Sequence, residues 1–489
     1  MSLLHASQLL ASSRALAGLP EGAAGFLLSR TPGQLLVVVP DEAEAERVVA
    51  ELTFYGRPAM LYPVNDCRPY EGLSPHPDLP RERIEALDAL DRGQPVAVVM
   101  PAAALLPRVL PASELARSPV LRVGDQVEPR ALAQRLADLG YLPVAQVQDP
   151  GTLSLRGDVL DLWPTGLDQP MRVEFFDEEI EGLRLLDASG LRPGGSLEEQ
   201  RVLPAREDLL GEEALARASR LLYERAEGLG YRVRLRREVL DDLRAGIRFS
   251  GCDDWLPALH ALGSLLDRVQ GQVVVLDRPG VEAALRKRQE RIETRFAATP
   301  EHERPLVLPH ERYLHAQDVL DRLSQAVTIS EVAIDDALDL GCRDNSVLAV
   351  GQGDLGPTVG KLGAWLEDDW RVGLVVDTST RAERLRQLLA PHGLSLVDQR
   401  DPDPVSWPTG QLVLLRGDLP RGFHDPASEL AVVTAGEVLG HKRKVRHGRA
   451  RLGGEQRAIG TFSELREGDL VVHERHGIGR YQGLARVDL

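Results

Sequence analysis

Two arginines and two adjacent phenylalanines fall within Gly151–Leu183, GTLSLRGDVLDLWPTGLDQPMRVEFFDEEIEGL. The guanidinium groups of Arg156 and Arg172 suit forked, charge-assisted bonds to carboxylates. Beside them stand Phe175 and Phe176, and this mixture of guanidinium and aromatic groups is enriched at protein–protein contacts. A plainer use of the same residues is internal: both arginines paired with Asp161, Glu174 or Asp177, and both rings in a core. The residue types alone leave the two uses open.

The elements that must position these groups are short strands. Thr152–Leu155 leads in, Val159–Trp163 alternates with Leu160 and Leu162 on one face, and Pro164-Thr-Gly166 breaks the chain. Met171–Phe176 is the third strand. A meander of this kind buries one face and leaves the other in water. Alternation puts Arg172, Glu174 and Phe176 on one side of the third strand and Val173 and Phe175 on the other. Phe175 is then expected in the core and Phe176 outside.

A second candidate chemistry is phosphate binding. A nucleotide-binding parallel α/β fold presents G-x-x-x-x-G-K-[ST] near its first strand. The corresponding place reads Gly18-Leu-Pro-Glu-Gly-Ala-Ala-Gly25-Phe-Leu-Leu-Ser29. No Lys follows the glycines, and Phe26 and Leu27 stand where the Lys and Ser/Thr belong. Such a stretch is expected to be a loop that holds no triphosphate tightly. His473 and His476 are two histidines without the further ligands that zinc needs. Cys67, Cys252 and Cys342 lack any C-x-x-C spacing, so reduced thiols and no metal are expected.

The wording of the opening stretch carries more than its pattern. R-G-D-V-L-D-L-W-P followed by R-V-E-F-F-D-E-E-I-E-G-L-R closely resembles the second domain of the bacterial transcription-repair coupling factors (the Mfd family) and of their relatives, the UvrB proteins. In both families this module docks UvrA. Carried over by motif position, the resemblance implies that Arg156, Arg172 and Phe176 bind UvrA. The degenerate Gly18–Ser29 segment resembles the first coupling-factor domain, which keeps the UvrB fold without its ATP site. Tyr70-Glu-Gly-Leu-Ser-Pro75, with Arg81 and Arg83, matches that same domain. The multi-tyrosine hairpin with which UvrB grips DNA is missing, which argues against an excinuclease B-like ATPase. The segment from Glu467 to Leu484, with its HGIGRY, resembles the RNA-polymerase-interacting domain of the family and of CarD-type regulators. Some 460 residues of other domains in front of it argue against a plain CarD-type regulator.

Composition agrees with a multidomain protein that meets other proteins. The 489 residues are 43% hydrophobic and 27% charged, enough for three or four domains. Acidic residues outnumber basic ones, 74 to 58, for a net charge of −16, so the chain as a whole is not steered to DNA. No run approaches the roughly 20 apolar residues of a membrane helix, and the N-terminus lacks the charged leader and long apolar core of a signal peptide. A cytoplasmic protein is expected.

Along the chain, Gln34–Val39 is a continuous apolar run, the mark of a strand buried on both faces of a parallel sheet. Glu42–Phe54 follows as a helix, and Ala59–Tyr62 and Pro95–Met100 as strands. The expected class is multidomain α/β: a degenerate helicase-like parallel α/β domain (1–118 and 206–330), an α+β UvrA-binding domain inserted in it (119–205), and a second α/β domain (335–440). The last has strands at Val347–Val350, Val372–Asp377, Gln411–Arg416 and Leu430–Thr434. Gly440–Arg457, with seven Lys/Arg against one Glu, lies in a basic linker (441–462). The remainder (463–489) is the start of a small β-barrel that two strands cannot close. The resemblance implies UvrA and the RNA polymerase β subunit as partners. It also implies that duplex DNA, ATP and Mg²⁺ belong to a translocase motor beyond these residues, leaving this chain without catalytic residue, nucleotide, metal or cofactor.

Overall fold

The computed structural model describes residues 3, 9–187, 193–228, 240–244, 251–299, 307–332, 337–348, 355–439, 470–473 and 477–480. The multidomain α/β class expected from the sequence is what they form. A seven-stranded parallel sheet runs, edge to edge, through Leu338–Asp339, Ala15–Ala17, Val327–Ile329, Gln272–Leu276, Leu35–Val39, Ala97–Pro101 and Ala59–Leu61. Every residue of Leu35–Val39 is buried because both faces are covered. Leu35, Val37 and Val39 enter one core, and Leu36 and Val38 enter another. The following helix Glu42–Phe54 starts at Asp41, whose side chain accepts from the Glu44 N–H, a standard way to satisfy an orphan donor.

Between Ala97–Pro101 and Gln272–Leu276 the chain leaves this sheet. Val120–Arg122 on the way out and Glu199–Arg201 on the way back pair antiparallel. The residues between them build a six-stranded mixed sheet in the order Pro193–Leu197, Glu179–Leu186, Met171–Phe176, Val159–Leu162, Thr152–Arg156, Leu142–Pro143. Helix Pro129–Asp138 covers one face. The Glu128 carboxylate caps its first N–H groups, Pro129 sits in its first turn, and Gly140 (φ +92°) ends it. Leu132, Leu136, Tyr141, Leu153, Leu160, Leu162, Met171, Val173 and Phe175 fill the core between helix and sheet.

The third unit is a five-stranded sheet, Leu396–Gln399, Leu412–Arg416, Arg371–Val376, Leu430–Thr434, Phe423–Asp425, parallel except for the last pair. Its core is continuous with that of the first sheet. Trp407, Val413, Leu415, Phe423 and Val432 pack in one cluster with Phe26, Leu27, Val48 and Leu52.

Several expectations need correction. The third unit's own sheet begins at Arg371, whereas Leu338–Asp339, placed in that unit by the reading from 335, pairs with Ala15–Ala17 on the first sheet. Of the strand expected at Val347–Val350, the described residues 347–348 belong to Ser346–Leu348, a turn of 3₁₀ helix closed by the Leu348 N–H on the Asn345 carbonyl, and 349–350 lie outside the described residues. The glycine-bearing stretch Gly18–Ser29 is not a loop, since all but its first three residues form helix Glu21–Ser29. The basic linker 441–462 lies outside the described residues, as does most of the expected barrel. From the barrel region the antiparallel pair Leu470–His473 and Gly477–Arg480 is described. Among the described residues no helix is long and apolar enough to cross a membrane.

Candidate partner-docking surface

Two tight hairpins organise the surface. Arg156-Gly157-Asp158-Val159 turns with Gly157 at φ +58°, and Phe176-Asp177-Glu178-Glu179 turns with Asp177 at φ +59°. Left-handed backbone at such positions suits the right-handed twist of the flanking strands. The chain reverses at each strand, so both turns lie at the same end of the sheet. Arg156, Val159, Glu174 and Gly182 form one cross-strand row. Ser154, Asp161, Arg172 and Arg184 form the next row inward, and Phe176 lies one pair outward, opposite Glu179. With strands about 4.8 Å apart and about 3.4 Å per residue, Arg156, Arg172 and Phe176 occupy a patch roughly 10 by 14 Å.

The three differ in how they are held. Phe175 is 6% exposed and Phe176 75%, because the pleat sends the first ring into the core and the second into water. Arg172 is forked onto Asp161 directly across the strand pair, Nε to Oδ1 at 2.7 Å and Nη2 to Oδ2 at 3.0 Å. Those hydrogen bonds hold the Arg172 guanidinium above its ordinary pKa. Arg172 thus adopts the internal pairing that the sequence left open, while remaining half-buried rather than covered. Arg156 is exposed, donating from Nε to Ser154 Oγ at 3.2 Å, and has no carboxylate partner among the described residues.

Arg184 also belongs to this face and was not singled out from the sequence, whereas Glu174 was named there as a possible partner of the arginines. Arg184 stands opposite Arg172 in register, and Glu174 accepts from Arg184 Nε at 2.9 Å. Each of the facing arginines is therefore neutralised by its own carboxylate. Neither pair is local in sequence: Arg172 and Asp161 lie on adjacent strands, as do Arg184 and Glu174. The register that brings Arg184 alongside is set by the Asp177–Glu178 turn and the irregularity between Ile180 and Gly182.

The phosphate-cradle position is closed. A Cβ on Gly22, in the first turn of helix Glu21–Ser29, would lie 2.5 Å from the Arg421 carbonyl oxygen, and one on Gly25 would strike the Glu51 carboxylate. Phe26 packs its ring 5.7 Å from that of Phe423. The glycines in this stretch serve close packing against the third unit and against helix Glu42–Phe54. Of the two histidines near the C-terminus, His473 lies in a described strand and His476 outside the described residues.

A family model described as the UvrB interaction domain matches residues 120–207, the segment between the paired exit and return strands. A second, the CarD-like/TRCF RID domain, matches residues 465–489. Curated relatives cover nearly all of the chain. The transcription-repair-coupling factor of Myxococcus xanthus is 31% identical, with 96% of this chain and 42% of that protein aligned. Those of Bacillus subtilis (25% identical; 95% and 41%) and Escherichia coli K12 (26%; 94% and 41%) align over similar shares. The chain spans about two fifths of the length of the curated relatives it matches, and it corresponds to the N-terminal region of the transcription-repair-coupling factors, the family its sequence resembles.

Proposed function

We propose that this chain is the recruiting part of a transcription-repair coupling factor, which brings UvrA to a stalled RNA polymerase in nucleotide excision repair. The observation that carries the reading is the solvent-facing ring of Phe176 beside Arg156 and Arg172, on the segment that matches the UvrB interaction domain. An aromatic side chain left three-quarters in water costs apolar hydration, and a partner's surface removes that cost. Arg156, Arg172 and Phe176 are the UvrA-contacting residues. The segment 119–205 is the inserted UvrA-binding domain, the first sheet is the degenerate helicase-like domain, and 463–489 opens the barrel that meets the polymerase β subunit.

On this reading the chain is not an enzyme by itself and holds neither ATP nor Mg²⁺. The missing Lys and the close approach of the Arg421 carbonyl to Gly22 support that. Duplex DNA and nucleotide are handled by a motor in the remaining length of the relatives, and the protein works in the cytoplasm. Capture separates the CarD-type regulator from this reading, and nucleotide binding separates the excinuclease B-like ATPase, whose module also docks UvrA. The tethered chain should retain purified UvrA, and should lose it when Phe176 is changed to Ala. Retention of the polymerase β subunit alone, with no UvrA, would favour the CarD-type reading.

A further inference from the structure

We infer that Asp161 is a positioning residue that presets Arg172 for its partner; the inference rests on the docking reading above. Asp161 lies directly opposite Arg172 in register and is 7% exposed, so its carboxylate is largely withdrawn from water. It accepts from Nε and Nη2 together, which occupies one edge of the guanidinium plane. No contact among the described residues engages Nη1 of Arg172. The end-on edge, Nη1 with the second N–H of Nη2, therefore remains for an acceptor outside the chain, a carboxylate or a main-chain carbonyl.

The neighbours of Arg172 show what the fork prevents. Arg184 stands opposite it on the other side with like charge, and Glu174, two residues along the same face, is held by Arg184 at 2.9 Å. Without Asp161, Arg172 would be repelled by Arg184 and drawn to Glu174, so the row of paired charges would rearrange. A guanidinium already fixed by a nearly buried carboxylate loses less conformational freedom on binding than a free one, which is preorganisation. Arg156, held by one hydroxyl contact at 3.2 Å, lacks this fixing. The two arginines are thus unequal: Arg172 is preset and Arg156 adapts.

The test is a calorimetric titration of the whole chain with purified UvrA. It uses the unaltered protein, Asp161→Asn, Arg172→Ala, the double variant, Arg172→Lys and Phe176→Ala, with a thermal melt of each. Asp161→Asn keeps the side-chain shape and removes the charge that holds the fork. It should weaken UvrA binding about tenfold per folded molecule, and the loss should vanish in the Arg172→Ala background, since a positioning residue acts only through the group it positions. Arg172→Lys keeps the charge but not the fork and should bind as poorly as Arg172→Ala; it also serves if Asp161→Asn does not fold. Binding by Asp161→Asn as tight as the unaltered chain, with Arg172→Ala impaired, would overturn the positioning role and leave the docking reading standing. An equal loss in both backgrounds would show that Asp161 acts on the fold and would also overturn it. Unchanged binding by Arg172→Ala and Phe176→Ala alike would overturn the docking reading and the inference together.

Discussion

Phe175 and Phe176 are neighbours in sequence and opposites in environment: one ring is 6% exposed against Val173, Ile180 and the rest of its core, the other 75% exposed on the far face. The pleat of a single strand makes the difference, so changes at the two positions should separate stability from binding. Phe175→Ala removes a core ring and should cost about 3–5 kcal/mol of stability. Chemical denaturation should show a lower midpoint with an unchanged slope. A midpoint within error of the unaltered protein would mean that the core closes without this ring.

Arg172→Ala should lower stability as well as binding, because it leaves the nearly buried Asp161 carboxylate without its forked donor. A loss of about 1–3 kcal/mol is expected, moderated by the partial exposure of Arg172. Arg156→Ala breaks one contact to a hydroxyl on an exposed side chain and should change stability by less than about 0.5 kcal/mol. Equal destabilisation by the two variants would contradict the asymmetry between the two arginines.

Gly22→Val tests the closed cradle. The added side chain would meet the Arg421 carbonyl oxygen, and backbone cannot rotate out of the way as a side chain does. Overpacking at this junction should cost about 1–3 kcal/mol, and amide exchange should rise in Phe423–Asp425 before it rises in the inserted sheet. Tolerance of valine, with unchanged exchange, would mean that the two units are not tightly apposed at this helix.

Titration with a labelled ATP analogue in the presence of Mg²⁺ should show no saturable site in the micromolar range. The reasons are the absent Lys and the occupied first turn of helix Glu21–Ser29. A tight, Mg²⁺-dependent site would refute the reading of this segment as a degenerate cradle.

The chain should be more stable at mildly acid pH than at pH 8. Burial pushes the Glu51 carboxyl up to about 8, against the pull of Arg47, and one of its oxygens has no partner. A carboxyl whose folded pKa exceeds its unfolded value of roughly 4.3 takes up a proton on folding. Its stabilisation is complete below that unfolded value and falls as pH rises toward 8, by up to about 1.4 kcal/mol per unit. Asp253 and Asp254, pushed by burial to about 6, add to the slope below that pH. In urea melts across pH, Glu51→Gln should flatten the decline between about pH 6 and 8. Parallel curves for the two proteins would exclude Glu51 as its source.

Local pattern reveals an element when its own residues decide it. Met171–Phe176 reads correctly because six residues alternate without interruption, and Leu35–Val39 because burial on both faces demands an unbroken apolar run. The short strands Ala15–Ala17, Val327–Ile329 and Leu338–Asp339 carry no such signal, for their pairing is decided by partners some 300 residues distant in the chain. Glycines misled at Gly18–Ser29: the spacing suggests a loop around phosphate, while the glycines in fact clear space for a carbonyl and a carboxylate in the packed interior. At the docking surface the face of each residue was legible from alternation. The Asp161–Arg172 fork was visible only as one of several pairings, because the register follows from the 163–170 connection, whose length and Pro-Thr-Gly break do not encode it.

Titration of UvrA into this chain and into its Phe176→Ala variant tests the central claim most directly. Loss of an exposed aromatic anchor should weaken binding well over tenfold, equivalent to about 2 kcal/mol or more, while the melting temperature stays within a degree or two. UvrA affinity that is unchanged by Phe176→Ala would contradict the account and place the contact away from this face.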